Sequence, residues 1–403
     1  MKKNLSKKTR RTILIAAMPV LLLAGCHKHN PHTPKPDVGC IRPLPDSIKN
    51  LHPKAAPLQR LLDSLTKAGV PGMSLTIHET NKGWFAGSAG WADIKNRKAF
   101  LPCQISRAGS TVKIVTAVSV LQLAENGIVD LDKKIADYLP PDLLDGIENA
   151  DRATVRQLLS HSSGIFNYIR APQFQLASLN DLTKTWQPGE LLSYARGRKA
   201  YFPPGTDVTY SNTNYILLGF LIEKVSSLSF PQYFKQYIFD RLGLKHTRFN
   251  INQPVPADLA RGYVDWYNKG EIMESTWYSG WDYYTADGGL QSTATDLVLL
   301  VEGLFSHRLL SPASLQIMLH TEPFIKTDDF YPTKFALGIF SIETPFGTAW
   351  LHSGDAIGYY ATVMYFPSKG ITISWMANGN YGFIDPLINS KKAFDRILNA
   401  ILN

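Results

Sequence analysis

Apolar residues recur along this chain with two periods, and the change from one to the other divides it. From Leu58 the helical spacing Leu58, Leu61, Leu62, Leu65 predicts an amphipathic helix over 58–67, stopped by Gly69-Val70-Pro71-Gly72. Residues 73–78 and 84–91 alternate as strands do, and Asn81-Lys82-Gly83 between them reads as a hairpin turn. A helix is then expected from Ser110 to the Asn126-Gly127 stop; it is apolar nearly all round and so belongs at the centre of a domain. Residues 127–204 show no strand periodicity and read as short helices and loops, and two further helical stretches follow at 215–224 and 231–239. Strand alternation returns at 360–366 and 371–376 around the turn Pro367-Ser368-Lys369-Gly370, and an apolar helix over 392–402 closes the chain. Strands at both ends of a helical middle predict an α+β fold. One antiparallel sheet is built from both ends of the domain and flanked by helices, with a mainly helical lobe at about 128–260 of a domain over 58–403.

Composition changes this picture only at the N-terminus. The chain has 403 residues, 44% apolar and 19% charged, as a globular protein does. Of its net charge of +9, six come from Lys2, Lys3, Lys7, Lys8, Arg10 and Arg11; the +3 that remains gives no case for a nucleic-acid partner. Those six charges and the apolar run 13–23 read as a signal peptide over 1–25, too short to span a bilayer. Leu23-Ala24-Gly25-Cys26 resembles a bacterial lipobox, which implies cleavage before Cys26, its lipidation, and a membrane held by a lipid anchor rather than a transmembrane helix. His27 after it, where an inner-membrane signal would be Asp, implies the outer membrane and a periplasm-facing protein. Residues 26–57 are rich in proline and read as an extended tether, in which His27, His29 and His32 are taken as solvated rather than metal-binding. Cys40 and Cys103 remain as a pair that an oxidising compartment allows to join, a geometry that sequence does not test.

The candidate chemistry lies at the start of the apolar helix. Ser110-Thr111-Val112-Lys113 sets a hydroxyl and an ammonium on one face of the first turn, where backbone N–H groups are free. A second Ser-x-x-Lys, at Ser64 and Lys67, falls at the end of an amphipathic helix and is read as structural. Spacing alone is weak, but Tyr210-Ser211-Asn212 and His352-Ser353-Gly354 follow in order, each the only motif of its kind in the chain. Together with Leu158 to Gly164, Asp287 to Leu297 and Gly354 to Tyr359, they closely resemble the penicillin-recognising serine hydrolases: class C β-lactamases, D-alanyl-D-alanine carboxypeptidases and their esterase relatives.

The resemblance implies a β-lactamase/transpeptidase-like fold and an acyl-enzyme at Ser110. Lys113 and Tyr210 would act as a coupled pair of bases, the lysine depressed by neighbouring donors and the tyrosine made more acidic by the ammonium, with the choice between them open. Asn212 would hold Lys113 or bind a substrate amide, unless it only stabilises a turn. Gly354 and Asp355 follow His352, and the backbone N–H groups of Ser110 and Asp355 would form the oxyanion hole. His352 stands where β-lactamases carry lysine. With an ordinary pKa of about 6.5 it would attract a substrate carboxylate weakly at neutral pH and better toward pH 6. Trp277, Tyr278, Trp281, Tyr283 and Tyr284 are candidates for an acyl pocket, and His161 is read as capping a loop. No residue pattern calls for a metal or cofactor. The expected activity is hydrolysis of D-alanyl peptide amides, a peptidoglycan stem peptide among them, or of small esters. The alternatives are a class C-type β-lactamase and a non-catalytic, lipid-anchored peptidoglycan-binding module.

Overall fold

The two alternating segments near the C-terminus form the middle of a nine-stranded sheet, and each sends its side chains alternately into two cores. A computed structural model describes residues 40, 43–45, 48, 52–249, 255–278, 284–327 and 330–403. The segment 1–25 expected to be a signal peptide, Cys26, and His27, His29 and His32 of the expected tether lie outside the described residues, as do Trp281 and Tyr283.

Helix α1 (Ala55–Lys67) leads into the hairpin β1 (Gly72–Glu79) and β2 (Gly83–Asp93), where Glu79 pairs with Gly83 and Gly83 takes φ +80° to make the turn. After β3 (Lys98–Ala99) and β4 (Ser106–Gly109) comes helix α2 (Val112–Glu125). It starts two residues later than the sequence suggests, so Ser110 stands in the turn ahead of it. Every residue from Val112 to Leu123 is buried, as an all-apolar helix requires. Among the described residues no strand occurs between β4 and residue 262; short helical pieces lead to α3 (Asn212–Ser226). The strands β5 (Tyr263–Val264), β6 (Met273–Glu274) and β7 (Leu290–Ser292) are followed by helix α4 (Ala294–Phe305). The chain then runs through β8 (Ile325–Lys326), β9 (Thr333–Phe335), β10 (Phe340–Thr344), β11 (Gly347–Ala356), β12 (Tyr359–Phe366), β13 (Ile371–Ala377) and β14 (Gly379–Asn380) to helix α5 (Lys391–Leu402).

The large sheet runs β3-β2-β1-β13-β12-β11-β10-β9-β8, all antiparallel; β1 pairs with β13, which joins strands from the two ends of the domain. Ala361, Val363 and Met376 face the core around α2, while Tyr360, Met364, Phe366, Ile373 and Trp375 face the core under α1 and α5. The closing helix is amphipathic rather than apolar: Phe394, Ile397, Leu398 and Ile401 are buried and Lys391, Lys392 and Arg396 exposed. Cys40 and Cys103 form a disulfide with Cα atoms 6.0 Å apart, fixing the segment before α1 to the body of the domain. Ser64 has the structural role expected of it, donating to Leu61 O at 2.7 Å and accepting from Arg396.

Candidate active site

Two strands approach closely to make the site. β4 ends at Gly109 with φ +51°, and a Cβ there would lie 2.8 Å from the backbone nitrogen of Asp355 on β11. A Cβ on Gly354 would meet Ala108 O at 1.8 Å and Ser110 N at 2.8 Å, so only glycine fits. His352, Ser353 and Gly354 thus sit inside β11. β10 covers β11 only from Gly347 to Leu351, and beyond that point the chain around Ser110 stands against it. Arg107, buried in β4, donates to Tyr278 O (2.9 Å) and Thr276 O (2.7 Å) and lies over the Tyr359 ring, pinning β4 to the loop after β6.

Lys113, fully buried in the first turn of α2, is the hub. Its Nζ donates to Ser110 Oγ (3.0 Å), Asn212 Oδ1 (2.8 Å) and Asp287 O (2.5 Å). The Asp287 carbonyl and Asn212 Oδ1 can only accept, so both hold protons on Nζ, while the Ser110 hydroxyl can accept or donate. Asn212 therefore holds Lys113. The Tyr210 ring centre is 4.9 Å from the same Nζ, and the Tyr210 hydroxyl hydrogen-bonds Ser110. Desolvation drives the Tyr210 pKa up, well beyond that of an ordinary phenol, which reverses the expected lowering and leaves it a neutral phenol. Below the lysine, the Asp287 carboxyl accepts from Tyr168 Oη at 3.2 Å, and burial raises its pKa.

Two histidines stand on either side of Tyr210. His161, at φ +60°, accepts the Ser211 N–H on Nδ1 (3.1 Å), and its ring centre lies 4.4 Å from that of Tyr210. His352 does the opposite: its Nδ1 meets a carbonyl, Ser353 O, at 2.7 Å and must donate. That fixes its neutral tautomer and leaves the lone pair on Nε2, which has no hydrogen-bond partner. Burial, and then the charge of Lys113, push the His352 pKa to about 3. Its desolvated position therefore argues against the expected titration near 6.5, and with it against better handling of carboxylates toward pH 6.

Ser110, Tyr210, Phe330, Phe340, His352 and Asp355 are among the residues lining a cleft of about 310 Å³. The proposed aromatic acyl pocket is not part of it: among the described members, Trp277 is exposed, Tyr278 contributes a carbonyl to Arg107, and Tyr284 lines a different hollow with Phe230 and Glu223. Sequence reasoning missed Asn167, which braces the motif turn by donating to Tyr210 O (3.3 Å) and accepting from Asn212 N (3.2 Å). It also missed the Asp287 carbonyl and Asn380, whose amide holds the Asp355 carboxylate. Only Asp287 carried a signal, the Asp-Gly-Gly segment already singled out.

Comparison with known proteins identifies the family and the fold. The family model described as Beta-lactamase matches residues 58–392. Penicillin-binding protein 4* of Bacillus subtilis (strain 168) is 26% identical over 72% of this chain, which spans 64% of that relative's length. Teichoic acid D-alanine hydrolase of Staphylococcus aureus (strain NCTC 8325 / PS 47) is 24% identical over 83% of this chain and 78% of its own. Among solved structures, a D-stereospecific amidohydrolase from Streptomyces sp. superposes with a TM-score of 0.71 at 26% identity, covering 84% of this chain and 99% of the other.

Proposed function

The chain belongs to the Beta-lactamase family and is a serine hydrolase of it, and from that premise we propose that it works through an acyl-enzyme at Ser110 and cleaves D-alanyl amides or esters. The observation that carries this is Lys113 Nζ bridging Ser110 Oγ and Asn212 Oδ1 from within a buried helix. The Lys113 ammonium already donates to Ser110 Oγ, so as Oγ attacks the carbonyl carbon the serine's own proton moves to Tyr210 Oη in the same step in which the phenol's proton leaves it, and Tyr210 stays neutral. A phenol made this weak an acid is a poor place to store charge. Tyr210 therefore passes a proton on to the departing nitrogen or oxygen while Lys113 balances the developing negative charge. The Ser110 and Asp355 N–H groups, brought together across Gly109 and Gly354, receive the oxyanion. Water then cleaves the acyl-enzyme by the reverse relay, with no cofactor.

The activities named for two relatives, a teichoic acid D-alanine hydrolase and a D-stereospecific amidohydrolase, support the substrate class. A neutral His352 in place of a lysine speaks against a β-lactamase. Incubation with a fluorescent penicillin and a fluorophosphonate, followed by peptide mapping, should place any adduct on Ser110, and Ser110→Ala should abolish label and turnover. An adduct on Ser64 or elsewhere would end the assignment. We further propose that Cys26 carries the lipid anchor in the outer membrane. Cys26→Ala should then move the protein into the soluble fraction, and continued partition into detergent would refute the anchor.

A further inference from the structure

Tyr210 hands its proton to the leaving group, so the leaving group sits on the Tyr210 side of Ser110. His352 lines the cleft there, on a ring packed between Phe340 (centroids 4.8 Å apart) and Tyr210 (6.3 Å). The ring is 2% exposed, its Nδ1 is committed to Ser353 O, and Nε2 has no partner. The hydroxyls nearby on that wall bond one another: Tyr360 Oη donates to Ser353 Oγ (3.2 Å), which donates to Thr362 Oγ1 (3.0 Å). Among the described lining residues no lysine or arginine occurs, and the single charged side chain is the acidic Asp355. Lys113, underneath, directs its protons at Ser110, Asn212 and Asp287. A carboxylate on the leaving group would meet a lone pair and an acid; a hydroxyl or amide N–H would satisfy a buried acceptor.

Granting acylation at Ser110, we propose that His352 Nε2 is a leaving-group selector that accepts a hydrogen bond from a neutral O–H or N–H donor, so that the enzyme cleaves acyl esters of polyols, or amides with such a donor, in preference to those whose leaving group carries a carboxylate. A site built to receive a donor discriminates against ligands lacking one more strongly than an apolar wall does.

The test is a matched series of D-alanyl esters of glycerol, of propanol and of D-lactate at pH 7, with p-nitrophenyl acetate as reference. Wild type should favour the glycerol ester over the propyl ester by about tenfold or more in kcat/KM, with the lactate ester slowest. His352→Phe should erase the glycerol preference, His352→Gln, which keeps an acceptor, should retain much of it, and His352→Lys should raise the lactate ester relative to the propyl ester. Wild type that takes the lactate ester as readily as the glycerol ester would overturn the proposal, as would a glycerol preference surviving in His352→Phe. Loss of turnover on every ester, p-nitrophenyl acetate included, with no fluorophosphonate adduct on Ser110, would instead overturn the acyl-enzyme reading and this proposal with it.

Discussion

His161 approaches Tyr210 from the helical side and His352 from the sheet; both are buried, and in both desolvation and the Lys113 charge push the pKa down. Their Nδ1 atoms nevertheless bond in opposite senses, one accepting from a backbone N–H and the other donating to a carbonyl. On His161 the remaining Nε2 carries a proton among the rings of Tyr210, Tyr215, Phe335 and Phe340 and does not open on the cleft. On His352, a residue of the cleft wall, it is a buried lone pair without a partner. Two residues of one type, with one direction of pKa shift, thus differ in role: the first fixes the turn that carries Tyr210, and the second is the one we propose meets the substrate. Backbone partners, more than burial, decide which.

The largest way to break this arrangement is on the sheet side. Gly354→Ala forces a Cβ into Ala108 O and Ser110 N, so β4 or β11 must move; we expect turnover and Ser110 labelling to fall by about 10³-fold or more, with a loss of about 1–3 kcal/mol in stability. Steady-state kinetics and urea unfolding would read both, and near wild-type turnover would show that the approach of the strands is not needed.

Next comes the pair between the two histidines. Lys113→Ala and Tyr210→Phe should each slow acylation by about 10²–10⁴-fold, and the double variant should be little worse than either, because one proton relay is lost only once. Stopped-flow acylation that shows multiplicative losses would separate the two groups.

A smaller effect sharpens the contrast directly. His161→Phe keeps the ring packing but strands the Ser211 N–H, at a cost of about 1–3 kcal/mol in stability. We expect about a tenfold fall in kcat without any change in the order of preference among leaving groups. A changed order would place His161, and not only His352, in substrate selection.

The mildest test is pH. A histidine whose folded pKa lies below its unfolded value of about 6.5 binds a proton more readily when unfolded, so its stabilising contribution is whole above that pH. As pH falls the contribution declines by about 1.4 kcal/mol per unit for each histidine, for His352 until pH approaches about 3. Unfolding midpoints should fall between pH 6 and 4, less steeply in His352→Phe, while kcat/KM for p-nitrophenyl acetate should show no ionisation of His352 near 6.5. A wild-type step at that pH that vanishes in the variant would show the ring to be solvated.

Much of the framework was legible in the chain. The alternation at 360–366 and 371–376 gave the two central strands, because a strand buried on both faces still alternates which core it serves. The all-apolar run of α2 announced burial, and the three motifs named Ser110, Lys113, Tyr210, Asn212 and His352, which the fold gathers around one cleft and the lysine beneath it. Local chemistry was legible where neighbours in sequence determine it, as in the turns at Gly83 and Gly370. Asn167, Arg107 and Asn380 were not, since each acts through a group far along the chain, and nothing beside a buried polar residue in sequence says which distant group it will meet.

What the sequence by itself determined, then, is which groups are present and which elements carry them: a serine and a lysine one turn apart, a tyrosine before a helix, a histidine where a lysine is usual. Only the tertiary structure decided their states. Tyr210 is a weaker acid than free tyrosine because desolvation outweighs its bond to Ser110. Lys113 has its protons assigned by acceptors from three separate segments. His352 is a neutral acceptor because burial and the Lys113 charge hold it unprotonated and a carbonyl takes its one proton. Protonation and tautomer are set by dielectric and by partners in space. Residues 110, 210, 287 and 352 become one another's environment only when the chain has folded.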